Sequence, residues 1–189
     1  MRVCLLAILL AGCGGGVASD EAARAAYLGL DDMVEKAMSL GFDGFNAASS
    51  ANIPEQSTTG DELGTLVVTG QVDQGASPNK EMRLRAALAE YQDVVLVEDE
   101  LVIVYDSVAP LELDLSLRDI PSGTLSGTLR GELSMTGDLE GTVVLDLAID
   151  GEIEPDPADE SRVRRVPGTT TIRGTATSPY GVFEVDVTR

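Results

Sequence analysis

From Gly64 onward, apolar and polar residues alternate with a period of two. Leu66, Val68 and Val72 are interleaved with Val67, Thr69, Gln71 and Asp73. Leu111, Leu113, Leu115 and Leu117 alternate with Glu112, Asp114, Ser116 and Arg118, and Phe183, Val185 and Val187 with Glu184, Asp186 and Thr188. Successive side chains of a strand point to opposite faces, so each run predicts a strand with one buried and one wet face. Such one-sided strands belong to antiparallel sheets, because parallel strands are usually covered on both sides. About eight strands follow one another, with turn signals such as Gln74-Gly75 and Gly137-Asp138 between many of them. Residues 78–91 fit two patterns. Pro78 after Ser77, then a run rich in Ala, Leu, Arg and Glu, would suit a capped helix. Met82, Leu84, Ala86 and Leu88 equally suit a strand, and the strand and turn ahead of them favour a hairpin.

Before Gly64 the period is 3.6. Ser19 or Asp20 can cap a helix, with Glu21 suited to its positive N-terminal end. Ala26, Leu30, Met33, Val34 and Ala37 fall on one stripe, Gly29 is placed to divide the helix, and Gly41 to stop it. The stretch 41–60, rich in Gly, Ser, Asn and Thr, reads as a long loop that Phe42 and Phe45 would pin to the core.

The run Gly123-Thr-Leu-Ser-Gly127-Thr-Leu-Arg-Gly131-Glu-Leu repeats every four residues. In a strand Gly123, Leu125, Gly127, Leu129, Gly131 and Leu133 all face one way. Glycine weakens a strand interior, so it needs a reason such as curvature or a close neighbour. Folding back around Asp138 in even register sets Gly131 against Leu145, Leu129 against Leu147 and Gly127 against Ile149; a one-residue slip would turn the leucines to water. The resulting face, with Leu125, Leu129, Leu133, Leu145 and Leu147, reads first as a curved core strand pair and second as the wall of an apolar ligand cavity. These elements together predict a mainly β fold: a curved antiparallel meander sheet of about eight strands, with a barrel as its closed alternative and an N-terminal helix packed on it.

Composition narrows the chemistry. The formal charge is −19, with 32 acidic and 13 basic residues and no His. Nucleic-acid binding needs clustered cations and is excluded as a reasonable function. The chain has 2 Cys and no Trp; no cofactor is implied, and no nucleophile–base pair for an enzyme is identifiable. Asp150, Glu152, Glu154 and Asp156 have the alternate spacing of the first half of a calcium loop, but Pro155 and Ser161 stand where its Gly and bidentate acid belong. A simpler account folds the chain around Ala158 and pairs Glu154 with Arg162 and Glu152 with Arg164. The island Arg162-Val-Arg164-Arg165 then pairs with its acidic neighbours rather than with lipid headgroups or an acidic partner. Ser77-Pro-Asn-Lys80 matches the Ser-x-x-Lys of penicillin-interacting acyl enzymes, yet their Ser-Asp-Asn and Lys-Thr-Gly motifs are absent. It reads as a turn.

At the start of the chain, Arg2 precedes an apolar run from Val3 to Ala11 that is too short to span a bilayer, which takes about 20 residues. The run reads as a signal peptide, residues 1–12. Leu10-Ala11-Gly12-Cys13 resembles the lipobox of bacterial lipoproteins, and the rest of the chain resembles small uncharacterised envelope lipoproteins. The resemblance implies cleavage between Gly12 and Cys13, a diacylglyceryl thioether on Cys13, and attachment to the membrane through that lipid. Gly14 after the cysteine favours the outer membrane, facing the periplasm or the surface. Residues 13–19, small and Gly-rich, read as a flexible tether, and 20–189 as a single domain. Leader, tether and acidic β domain together predict a lipid-anchored envelope protein with a non-enzymatic structural or protein-interaction role. The alternative is a carrier holding a lipid or other apolar ligand on the concave sheet face. The protein partner or ligand is not specified by the sequence.

Overall fold

A computed structural model of the chain describes residues 15–73, 75–93 and 101–189. Helix α1 (Asp20–Leu28) starts at Ser19, whose hydroxyl accepts from the Ala22 amide at 3.1 Å, and carries Asp20 and Glu21 in its first turn. It ends at Gly29, where Tyr105 passes. A β-carbon at Gly29 would overlap the Tyr105 hydroxyl, which donates to the Ala26 carbonyl at 2.9 Å. Helix α2 (Asp31–Ala47) follows at once. Its buried stripe, Met33, Val34, Ala37, Met38, Gly41, Phe42 and Gly44, has the expected spacing but runs past Gly41. Gly41 does not stop the helix: it lets α2 close on the sheet. A β-carbon there would stand 3.0 Å from Met82 Sδ, and one at Gly44 would stand 2.8 Å from the Ile53 side chain. The predicted loop at 41–60 is therefore corrected to the last turns of α2 followed by strand β1 (Asn52–Thr59).

The sheet is an antiparallel meander. It runs through β1, β2 (Leu63–Val72), β3 (Lys80–Gln92), β4 (Ile103–Ser107) with β5 (Leu111–Arg118), β6 (Gly123–Gly137), β7 (Gly141–Pro155), β8 (Val163–Arg165) with β9 (Thr171–Ser178), and β10 (Gly181–Thr188). Ten strands fill eight positions, since β4 and β5 share the slot between β3 and β6, and both β8 and β9 pair with β7. Within residues 78–91 the chain is strand from Lys80 onward and nowhere helix. Where β4 gives way to β5, the Ser107 hydroxyl accepts from Leu88 N (2.9 Å) and donates to Leu88 O (3.3 Å), replacing the missing ladder bonds. The sheet is curved, and among the described residues no strand pairing joins its two edges, β1 and β10.

The inner face is built in rows across β5, β6 and β7. Leu115, Gly127 and Ile149 form one row, Leu113, Leu129 and Leu147 the next, and Leu117, Leu125 and Gly151 a third. Gly131 faces Leu145, and a β-carbon on it would stand 2.5 Å from Leu111 Cδ2. The even register read from the sequence is the one observed. Glycine is needed at 127 because a β-carbon would overlap the Asp114 carbonyl oxygen and stand 2.8 Å from Leu115 Cδ2. Helix α2 packs on β1, β2, β3 and β8 and α1 on β10.

Gly127→Val should overpack this face and lower stability by about 1–3 kcal/mol. Ser126→Val, on the exposed side of the same strand, should stay within about 0.5 kcal/mol. Urea denaturation of the two variants compares them directly.

Candidate functional site

Cys13, Gly12 and the leader lie outside the described residues. Of the tether predicted for residues 13–19, Cys13 and Gly14 also lie outside the described residues, and the part from Gly15 onward lies against the body. Gly15 forms a parallel bridge with Leu139, and its carbonyl accepts from Glu140 N at 3.2 Å. The Tyr180 ring lies over Gly16, Val17 is only 1% exposed, and the Ser178 hydroxyl donates to the Val17 carbonyl. A glycine-rich stretch gives a loose tether only where nothing packs on it; here the small residues let Tyr180 approach.

The proposed apolar ligand face is core. Leu125, Leu129, Leu133, Leu145 and Leu147 are each 0–2% exposed and join one hydrophobic cluster with Ala23, Ala26, Met33 and Ala37 of the helices. At that exposure these side chains are covered by other atoms of the protein.

The basic island is fully engaged, with partners the sequence did not indicate. Arg162 makes a bidentate pair with Asp43 (2.9 and 2.9 Å), and Arg164 pairs with Glu154. The hairpin turns about Asp159, not Ala158: Glu154 faces Arg164 and Ile153 faces Arg165, two residues away from the predicted register. Two successive side-chain turns set this. Asp156 accepts from Ala158 N at 2.8 Å and Asp159 from Ser161 N at 2.9 Å. Of the four acids considered for calcium, Asp150 and Glu152 point outward, Glu154 binds Arg164, and Asp156 caps the turn. Among the described residues no group of three or more His, Cys, Asp or Glu side chains is placed to hold a metal ion.

The largest buried polar cluster joins α2 to β8 and Arg189. Asp31, 4% exposed at its side chain, accepts from Arg165 (2.9 and 3.1 Å), Arg189 Nε (3.1 Å) and the Tyr27 hydroxyl (2.8 Å). Burial alone would raise its pKa, but the Arg165 guanidinium, by hydrogen bond and charge, holds the carboxyl below its ordinary range. Arg165 also binds Glu35 at 2.8 Å. Next to it, Asp32 is raised, first by burial and then by the charges of Asp31, Asp93 and Asp61. A second cluster ties the β1–β2 turn to the end of β3. Lys36 Nζ reaches Asp93 Oδ1 (2.6 Å) and Asp61 Oδ1 (2.8 Å), Asp93 also accepts from Asp61 N at 2.8 Å, and the Tyr91 hydroxyl donates to Asp93. Tyr91 is held far above the usual phenol range by burial and by Asp93.

Ser77 and Lys80 share an open cleft of about 440 Å³ with Asp73, Glu81 and Arg118. They do not form the arrangement the Ser-x-x-Lys spacing requires. Ser77 lies in a turn, its hydroxyl accepting from Asn79 N at 3.1 Å. Lys80 opens β3, donates to the Gly75 and Asp73 carbonyls, and stands 4.3 Å from the centroid of the Phe45 ring. No helix of the described residues is long and apolar enough to cross a membrane.

Set against protein-family models, curated proteins and solved structures, the chain matches none.

Asp31 and Asp32 should answer the same substitution with opposite signs. Because Asp31 is depressed, its contribution is fully present above the ordinary carboxylate value of 3.8 and is lost as pH falls through its lower folded value. Asp31→Asn should cost about 3–5 kcal/mol at pH 7, the range for breaking a buried pair. Asp32 is raised, so its ionisation costs stability as pH climbs above 3.8. Asp32→Asn should stabilise at pH 7, with the gain vanishing below about pH 4, near the unperturbed value. Urea midpoints from pH 3 to 8 read both, on the scale set by such shifts.

Proposed function

We propose that this chain is a lipid-anchored protein of the bacterial cell envelope, of the outer membrane by the Gly14 rule, held through Cys13 and serving a non-enzymatic structural or protein-contact role. The observation that carries the reading is Leu10-Ala11-Gly12-Cys13 at the end of the short apolar run behind Arg2. A diacylated thiol gives stable attachment where a single chain gives only marginal binding. Packing supports a binding or structural role over transport of an apolar cargo: the leucines that would line a carrier's cavity are buried in one hydrophobic cluster with residues of both helices. Against an enzyme stands the engagement of the clustered side chains. Lys36, Lys80, Arg162, Arg164 and Arg165 are each committed to carboxylates or carbonyls within the protein.

Mass analysis of the N-terminal peptide from the native envelope should find Cys13 as the first residue, carrying acyl chains. Cys13→Ser should abolish the adduct and leave residues 1–12 uncut. An unmodified Met1 on protein dissolved in the cell interior would overturn the proposal. Native mass spectrometry of the same preparation should find no lipid retained besides the covalent one; a retained apolar molecule would favour the carrier.

A further inference from the structure

The exposed large apolar side chains of the described residues are Leu63, Val102, Val108, Val144, Tyr180 and Val182. They are not scattered. A meander places its turns alternately at two ends of the sheet, and here one end carries the β1–β2, β3–β4, β6–β7 and β9–β10 connections. Leu63 opens β2 at this end. Val102 precedes β4 and is fixed by two 2.8 Å hydrogen bonds with Asp138, one in each direction. Tyr180 forms the β9–β10 turn. Val144 and Val182 flank Thr177 in one row across β7, β9 and β10, on the outer face. Only Val108, in the break between β4 and β5, lies elsewhere. The opposite end, with turns at 73–79, 119–122 and 156–162, shows no exposed large apolar side chain among the described residues.

The amino-terminal segment meets the body at this same apolar end. Gly15 is bridged to Leu139 in the β6–β7 connection, and Tyr180 covers Gly16. Two Cα-to-Cα steps separate Gly15 from Cys13, a reach of at most about 7 Å. A lipid on Cys13 would sit at the glycerol level of a bilayer. A body fastened that close to it has no slack with which to stand clear of the headgroups.

We infer that this rim is a lipid-contact surface, on which the protein sits with the meander's β6–β7 and β9–β10 turns against the bilayer that holds its anchor. This seat rests on the lipid-anchor reading. Tyr180, 66% exposed, has the ring-plus-hydroxyl character that settles at a membrane interface. Val182, 65% exposed, and Val144 extend its apolar area. The same rim carries Asp61, Glu62, Asp138 and Glu140, and its Lys36 is already paired. That charge selects a zwitterionic lipid surface over an anionic one, whose potential repels carboxylates.

The chain has no Trp, so Tyr180→Trp, Val182→Trp and Ala158→Trp each introduce a single fluorophore, the last in the opposite turn. Each lipidated full-length variant is placed in phosphatidylcholine vesicles containing lipid spin-labelled near the headgroup. Trp at 180 and at 182 should be blue-shifted and quenched several-fold more than Trp at 158, and phosphatidylglycerol in the vesicles should weaken that quenching. Val182→Trp covers the case in which a larger ring at 180 disturbs Gly16. Equal quenching at all three positions, or none at 180 and 182, in protein that floats with the vesicles overturns the seat and leaves the anchor standing. Protein that does not float and whose Cys13 lacks lipid by mass overturns the anchor and the seat together.

Discussion

A strongly bent sheet stays dry inside only if its inner side chains crowd evenly, and in this protein glycine makes that possible. On the concave side of β5, β6 and β7, most three-residue rows combine two large side chains with one glycine, as in Leu115–Gly127–Ile149 and Leu117–Leu125–Gly151. Large residues three abreast would splay the strands, whereas a glycine lets the neighbour's leucine lie across the backbone. The row Leu113–Leu129–Leu147 is the exception, and it lies between rows that contain glycine. Hydrophobic burial drives the sheet to close over its contents; the glycines determine how far it can bend. The helices then fill what curvature leaves open, with Gly41 and Gly44 bringing α2 down onto β3 and β1.

The polar clusters act at the borders of that core. Asp31, Arg165, Glu35 and Tyr27 fix the start of α2 against β8, and Lys36, Asp93 and Asp61 fix its middle against the β1–β2 turn. They specify where the helix lies along an otherwise uniform apolar groove. A buried pair of this kind is weak evidence for stability in its own right. Its value here is positional, since leucine rows alone would accept α2 at several offsets.

How much of the fold is legible in the residues depends on the distance over which each signal acts. Alternation is local, so the strands, the hairpin of β6 and β7 and its register can be read from the residues themselves; a slip by one would expose every leucine in it. Gly41 misleads because a glycine that ends a helix and a glycine that admits a neighbour look alike in one dimension. Gly16 is equally silent in one dimension: it is small because Tyr180, far along the chain, approaches it. The arginine island is legible as self-paired, but its partners are not. Arg165 finds Asp31 134 residues away and Arg162 finds Asp43 119 away, and nothing in a local pattern carries such a pairing.

Nearly every strand bonds to the one just before it, so this sheet can assemble in the order in which the chain is delivered, at little loop-closure cost. The exception joins the two ends. Val17 accepts from Ser178, and Asp20 accepts from the Glu184 amide, so α1, already touched by Tyr105 of β4, completes its seat when β9 and β10 have arrived. Until then the oldest part of the chain waits beside an unfinished groove. Completion of the last hairpin thus adds the final contacts to the first helix, and through them the two ends of the chain hold each other in place.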